Sequence, residues 1–386
     1  VKICDIVQSF SPRSGGVKFY LTAKMRCLAE RGDVQHMAIV PSHRNVHRRE
    51  YDSTVYEVRS PHLPFSLDYR LLMDKNQIMA IVGAERPDVI EVDGAYLSAW
   101  IGLAAGTRFG IPVVGFYHSD FPRKLSDKAR NRLPNLVRDP LAAAIDGYLR
   151  RLYNRMDATV VALPKYETIL GRIGIRNVVR IPLGVETDIF YPRESRSSIL
   201  DRFGLPPDTI LLFYAGRLAG MKRIDSLLSM MARLTGDHPF YHLIIAGDGE
   251  LRDEVSASAD ASPHITWLPY IQERDELARF YSAADLFVHA GAMETFGLVS
   301  VEAQGCGARV LGVKGGGLEK TLEGEAPLIM AEDASAGALA DAVERIRALD
   351  EGESARMERS RRVREKFSWE RTFRGMVGLY GSVVAG

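Results

Sequence analysis

Two carboxylates stand in the stretch GAMETFGLVSVEAQGCG, residues 291–307. They are Glu294 and Glu302, with seven mostly apolar residues between them. Paired carboxylates suggest acid–base chemistry, but the spacing decides against it. If residues 296–305 form a helix, Glu294 lies just before it and Glu302 two turns in. That separates them by on the order of 12 Å along the axis, whereas a glycosidase pair needs about 5–9.5 Å. Two separated carboxylates can instead each accept hydrogen bonds from the hydroxyls of a ring. The helix start between them would aim the N–H groups of Phe296, Gly297 and Leu298 at the same ligand. A charged helix cap plus one surface glutamate would give the same pattern, but the apolar surroundings of Glu302 count against it.

Other chemistry-bearing residues fall at the ends of apolar runs. In YAGRLAGMKRID, Arg217 and Lys222 follow a strand-like run and precede a helical one, a placement that suits a diphosphate and equally a pair of solvated cations. In SPRSGGVKF, Gly15 and Gly16 precede a helical segment, where a backbone can approach a phosphate or simply turn tightly. His118 ends VVGFYH and is followed by Asp120, which places both for a cleft, although packed histidines are as common. His43 and His47 have a helical metal spacing but are crowded by Arg44, Arg48 and Arg49, with no third ligand near. Pro239 spoils His238 and His242 as a helical pair, so no metal site is expected. The chain has no G-x-S-x-G, Asp-x-Asp or Walker motif, and no G-x-G-x-x-G after the first run. This removes support for a serine hydrolase or an NAD-binding dehydrogenase.

These positions need a scaffold, and the pattern supplies one twice. KICDIVQSF reads as a strand. Val17, Leu21, Met25 and Leu28 then form one face of a helix that stops at Gly32. VQHMAIV, PDVIEVD, IPVVGFYH and ATVVAL continue the alternation. PLGVETDIFYPRESR, near residues 182–197, has no sustained period and reads as a linker. TILLFYAG, YHLIIAG, ADLFVHA and ARVLGV then restart the alternation. The expectation is α/β: two doubly wound, Rossmann-like domains with parallel sheets, binding ligands at strand carboxyl ends and in the cleft between the domains. The boundaries expected are 1–190, completed by a last helix in 367–386, and 191–366.

Composition agrees with a globular chain: 386 residues, 46% apolar, 26% charged and a net charge of +1. The charge is uneven. Residues 1–190 hold 27 Lys and Arg against 20 Asp and Glu, net +7, and the remainder 23 against 29, net −6. Three cysteines, Cys4, Cys27 and Cys306, form no C-x-x-C and leave an odd count, which suits reduced thiols in a cytoplasmic setting. The amino terminus reads as a strand rather than a signal peptide. Nucleic acid is not expected as a partner.

Five segments in order resemble the retaining glycosyltransferases of family 4, which have the GT-B fold: ETFGLVSVE, GRLAGMKRID, IPLGVETDIFYP, IIAGDGELRDEV and LARFYSAADLFVHA. The resemblance spans nearly the whole chain. It departs at Arg223, where glycine is usual, at Glu186, where aspartate is usual, and at HAGAMETFG, which lacks a Pro-Ser. FSWERTFRGMVGLY resembles the family's last helix, which crosses back onto the first domain. The resemblance implies that Arg217 and Lys222 bind the donor's diphosphate and that Gly16 lets the first helix approach it. Glu302 would accept from the ribose, and Glu294 with the backbone at 296–298 would hold the transferred sugar. His118 would sit beside that sugar, Tyr270 and Ile271 would flank the base, and Gly315 to Gly317 would form a mobile loop near the donor. The implied reaction retains configuration and moves a hexose from a nucleotide-diphosphate sugar to an acceptor hydroxyl, with no cofactor and no metal. Same-face attack by the acceptor is expected, since no carboxylate is an evident nucleophile. An epimerase-like enzyme on the same fold, or a nucleotide-sugar-binding module without turnover, are the other readings.

The acceptor is less legible. Residues 123–155 carry nine basic residues against three acids, interleaved with Leu125, Leu133, Leu141, Leu149 and Leu152. That suits the surface of an anionic bilayer and a lipid or membrane-proximal acceptor, with the enzyme peripheral at the inner face of the membrane. Solvated helix faces would look similar.

Overall fold

The computed structural model describes residues 1–11, 16–63, 69–118, 135–237, 240–291, 296–319, 321–322, 330–349 and 352–386, with 135–138 and 237 as backbone only. The chain forms two compact units, Val1–Leu183 with Trp369–Gly386, and Gly184–Ser368.

The first unit is built on an eight-stranded sheet in the order β3-β4-β2-β1-β5-β6-β7-β8. Its strands are β1 (Lys2–Ile6), β2 (Gln35–Ser42), β3 (Val46–Glu50), β4 (Ser53–Arg59), β5 (Val89–Asp93), β6 (Val113–Phe116), β7 (Ala158–Val161) and β8 (Val178–Arg180). All neighbours pair in parallel except β3 with β4, an antiparallel hairpin at the edge. His47 lies in β3 and His43 just before it, both exposed, so their spacing is not helical at all. The intervening helices are α1 (Gly16–Ala29), α2 (Lys75–Glu85), α3 (Leu97–Phe109), α4 (Asn135–Tyr153) and α5 (Pro164–Arg172). The stripe read from sequence holds in α1: Leu21, Met25 and Leu28 are buried, and Val17 packs against the same cluster.

The second unit has a six-stranded parallel sheet in the order β11-β10-β9-β12-β13-β14. Its strands are β9 (Ile210–Ala215), β10 (Tyr241–Ala246), β11 (Ile265–Leu268), β12 (Leu286–Val288), β13 (Arg309–Val313) and β14 (Met330–Ala331). Its helices are α6 (Arg196–Arg202), α7 (Ile224–Asp237), α8 (Arg252–Ala261), α9 (Arg274–Ala283), α10 (Leu298–Gly305), α11 (Ala336–Arg347) and α12 (Glu353–Lys366). The final helix, α13 (Trp369–Ala385), groups with the first unit. There Trp369, Phe373, Met376 and Tyr380 are buried, each contributing about 1.5–3 kcal/mol if fully removed from water.

The first passage between units falls at Leu183/Gly184, inside the stretch read as a linker but ahead of 190/191. Residues 184–190 go with the second unit for a packing reason. Val185 N donates to Phe367 O (2.8 Å), and Phe190 is buried beside the Tyr281 ring and the Gly305 backbone.

Candidate functional site

In the second unit, the carboxyl ends of β9, β10, β11 and β12 collect the residues singled out from sequence. After β9 the chain turns through exposed Arg217 to a short 3₁₀ turn, Gly220–Lys222. The Tyr214 hydroxyl donates to Arg217 O (3.1 Å), and Gly220 N donates to Glu250 Oε1 (3.0 Å) from the loop after β10. Arg223 follows in the left-handed region, φ 55° and ψ 45°. A non-glycine residue is strained there, which gives a physical reason why glycine would be usual at this position.

The end of β12 packs on the same turn. A Cβ at Gly291 would lie 3.1 Å from Lys222 Cα and 3.2 Å from Met221 O, so any larger residue would press on this turn by a few tenths of an ångström. His289, two residues earlier, is buried and stacks on Tyr214. Burial and then the Lys222 charge push it down to about 3, so it is a neutral neighbour of that cation. Glu294 follows three residues after Gly291 and lies outside the described residues, as do Gly15 and Asp120.

Helix α10 begins at Leu298, two residues later than the sequence suggested, because Gly297 occupies its N-cap in the left-handed region at φ 81°. No side chain caps this end. A Cβ at Gly297 would reach within 2.1 Å of Leu318 Cδ2, so glycine also admits the segment that follows Gly315 to Gly317. Phe296 is buried, edge-on to Phe367.

Glu302 lies in the second turn of α10 and is 6% exposed, as its apolar setting suggested. It is not unaccompanied. Arg274, the first residue of α9, directs Nη2 to Glu302 Oε1 (2.9 Å) and to Glu186 Oε2 (2.6 Å), and the Tyr281 hydroxyl donates to Glu302 Oε2 (3.3 Å). Burial pushes the Glu302 carboxyl up, with Arg274 pulling against that. Tyr270, after β11, is exposed, and its phenol is pushed up first by burial; Arg274 pulls it down and Glu302 pushes it up. Ile271 beside it is half-buried.

Two family models account for nearly the whole chain. Residues 14–189 match the model for Glycosyltransferase Family 4, and residues 195–364 match that for Glycosyl transferases group 1. The chain belongs to the group 1 glycosyltransferases of family 4. Among curated relatives, the GDP-mannose-dependent α-(1-6)-phosphatidylinositol dimannoside mannosyltransferase of Mycobacterium tuberculosis is 27% identical over 99% of this chain and 97% of its own. The D-inositol 3-phosphate glycosyltransferase of Segniliparus rotundus is 27% identical over 75% of this chain and 65% of its own. Among solved structures, sucrose-phosphate synthase from Thermosynechococcus elongatus superposes with a TM-score of 0.78 over 100% of both chains at 22% identity, which makes this the GT-B fold. The matches are to transferases; neither the epimerase reading nor that of a binding module without turnover is favoured.

In the first unit of this glycosyltransferase, Gly16 opens α1 and is exposed. His118 follows β6, stacked on Phe116 with ring centroids 3.9 Å apart and edge-on to Tyr20 at 4.7 Å. Burial, then Lys24, hold it down to about 3, so it is uncharged at neutral pH. Beneath it lies a sealed charge cluster. Lys24 Nζ contacts Asp5 Oδ1 (2.7 Å), Glu91 Oε2 (3.2 Å) and the Tyr380 hydroxyl (2.7 Å). The Tyr20 hydroxyl donates to Glu91 (3.1 Å), Tyr380 also donates to Glu91, and His36 meets Asp5 (3.1 Å). Asp93, at the end of β5, accepts from the amides of Gln8 (2.5 Å) and Ser9 (2.8 Å), while burial raises it to about 7.

Sequence reasoning passed over Arg274, Lys24 and Asp93. A signal for Lys24 existed, because it falls three residues after Leu21 and four before Leu28, on the buried stripe. In α4, Leu149 and Leu152 are fully buried and do not belong to a membrane-facing surface. Leu141 is exposed, as are all of residues 139–144. Leu125 and Leu133 lie outside the described residues.

Proposed function

We propose that the protein is a retaining, metal-independent hexosyltransferase that takes mannose from GDP-mannose and delivers it to a hydroxyl of an inositol-containing lipid at an anionic membrane surface. The observation that carries the donor and acceptor is the end-to-end match to the dimannoside mannosyltransferase, with 99% of this chain aligned to 97% of that one. In this reading Arg217 and Lys222 meet the diphosphate and stabilise it as it departs, charge that fixed cations can supply without a metal. Gly16 admits the phosphates to the start of α1. Glu302 accepts from the ribose, and Tyr270 and Ile271 flank the base. Glu294, with the backbone at Phe296, Gly297 and Leu298, grips the sugar. His118, uncharged, accepts or donates a single hydrogen bond beside that sugar, with Asp120 nearby. The acceptor hydroxyl attacks from the face the nucleotide leaves, and its proton leaves with the departing phosphate.

The acceptor surface would be the exposed part of α4, where the apolar Leu141 and residues 142–144 stand on a helix that ends in exposed Arg150 and Arg151. No helix among the described residues is long and apolar enough to cross a membrane, so such contact would be at the surface. Nucleotide release should be measured with GDP-mannose against UDP- and ADP-sugars, using phosphatidylinositol-mannoside vesicles and, separately, soluble inositol 3-phosphate. Turnover on the soluble acceptor alone would favour the second relative's chemistry and remove the lipid. An inverted anomeric signal in the product's proton spectrum would refute retention. Loss of turnover in EDTA, restored by Mg²⁺, would refute metal independence. Glu294→Ala should abolish transfer while leaving GDP binding within a fewfold.

A further inference from the structure

A carboxylate that grips a ribose needs only its own oxygens, yet Glu302 is tied to a cation and, through it, to a second carboxylate. One guanidinium nitrogen sits between Glu186 and Glu302, at 2.6 and 2.9 Å. The guanidinium also lies over the Phe190 ring, 4.8 Å from its centroid. Three segments therefore fix one side chain: the residues following Leu183, the start of α9, and α10. All three participants are largely buried, with side chains 20%, 11% and 8% exposed for Arg274, Glu186 and Glu302.

We propose that Arg274 is the positioning residue of the ribose grip, holding Glu302 in one orientation, with Glu186 as the counter-anchor. This rests on the reading of Glu302 as the ribose acceptor. Each carboxylate oxygen has two lone pairs. Arg274 uses one on Oε1 and Tyr281 one on Oε2, which leaves one on each oxygen for a vicinal diol. The groups around Glu302 are Arg274 and Tyr281 from α9, Glu186 from the segment before α6, Tyr270 after β11, and Cys306 at the end of its own helix. Arg274 is the cation that acts most strongly on this carboxylate. Burial already raises the Glu302 carboxyl, and Arg274 is what opposes it. Without the guanidinium, two largely buried carboxylates would face each other with that counter-charge removed, which pushes the Glu302 carboxyl further up. A protonated Glu302 loses an acceptor that the diol requires.

The sign follows. In Arg274→Met, donor binding is weakest at acid pH and recovers as pH rises and Glu302 ionises, whereas the wild-type profile stays flat over the same range. Donor KM should rise at least tenfold at pH 7 with kcat changed less than threefold. Arg274→Met/Glu186→Gln should recover part of that loss and shift the recovery to lower pH, because the competing charge is gone. A purely structural role would move neither the pH profile nor the rescue. Arg274→Lys keeps a charge but loses the planar fork and the stacking on Phe190. It should show a smaller rise in KM with a flat profile, and it serves if the methionine variant fails to fold.

The measurement is calorimetric binding of GDP and of 2′,3′-dideoxy-GDP, with GDP-mannose kinetics, from pH 6 to 9. Wild type should prefer GDP, and Glu302→Gln should erase that preference. If Glu302→Gln keeps it, the ribose reading itself fails. If Glu302→Gln erases it while Arg274→Met and Arg274→Lys bind GDP within twofold of wild type at every pH, the ribose reading stands and the role given to Arg274 is overturned.

Discussion

Each unit of this glycosyltransferase buries one cation between two carboxylates, and the two clusters are built to different ends. In the first unit Lys24 is fully buried between Asp5 and Glu91, which are register partners on adjacent strands β1 and β5. Tyrosine hydroxyls and His36 take up further polar positions. Burial pulls the Lys24 ammonium down, but Asp5 and Glu91 together raise it, and the lysine holds Asp5 low although burial pushes Asp5 up. Glu91 stays raised, burial being the larger influence. In the second unit Arg274 joins Glu186 and Glu302 after the end of β11, with the Arg274 side chain 20% exposed, against none for Lys24, and with Tyr270 exposed near it. A sealed triad holds a fold together; a triad with one open side can trade a hydrogen bond with a ligand. Lysine, a compact charge, suits the first, and a planar fork that stacks on Phe190 suits the second.

The sharpest way to break the contrast is Lys24→Met. It leaves two carboxylates stranded in the core and should cost about 3–5 kcal/mol, read as a lower urea midpoint for the first unit. A loss below about 1 kcal/mol would show that the cluster is not sealed.

Next comes acid. Asp93 is nearly fully buried and raised to about 7, against about 3.9 unfolded. A carboxyl raised in the folded state adds stability that is fully present below the unfolded value and is lost as pH rises through the folded one. Wild-type stability relative to Asp93→Asn should therefore fall between about pH 4 and 7, by on the order of 3–4 kcal/mol. Urea titrations of both proteins across that range would measure it, and parallel curves would refute it.

Smaller effects should separate the clusters by kind. Tyr380→Phe removes a hydroxyl from between Lys24 and Glu91 and should cost about 1–2 kcal/mol, without altering GDP affinity. Arg274→Met should cost a similar amount of stability but should weaken GDP binding as well. If Tyr380→Phe weakened GDP as much as Arg274→Met, the division between the clusters would collapse. The smallest effect belongs to Arg223→Gly, which relieves a left-handed residue at some cost in chain entropy. It should raise stability by less than about 1 kcal/mol, seen as a small increase in Tm with kcat unchanged.

The alternation of strand and helix was legible because parallel strands with helices on both faces write long apolar runs and one clear stripe per helix. The burial of Glu302 was legible for a related reason, since its neighbours on α10 are apolar. The edge hairpin was not, because β3 is VHRRE, all polar after its first residue, and it pairs on one side only. The late start of α10 depends on the backbone of one glycine, which no side-chain pattern reports. Arg274 was hidden because its partners lie 28 and 88 residues away, while in sequence it looks like one more charge in QERDELARF. The boundary at Leu183 escaped for a similar reason. Phe190 is committed to the second unit by contacts with Tyr281 and Gly305 that only the fold brings near.

The hydrogen bond from Lys24 to Tyr380 joins residues 356 apart in the chain. It sets an order of assembly during synthesis. The second unit is one continuous segment, Gly184–Ser368, and can finish as soon as it has emerged. The first unit begins earlier but must wait with Asp5, Lys24 and Glu91 short of the Tyr380 hydroxyl. At about 5–20 residues per second, that wait lasts on the order of 10–40 s. The half of the molecule made first is therefore the half completed last, and a ribosome that stalls in the final helix leaves the second unit folded and the first unfinished.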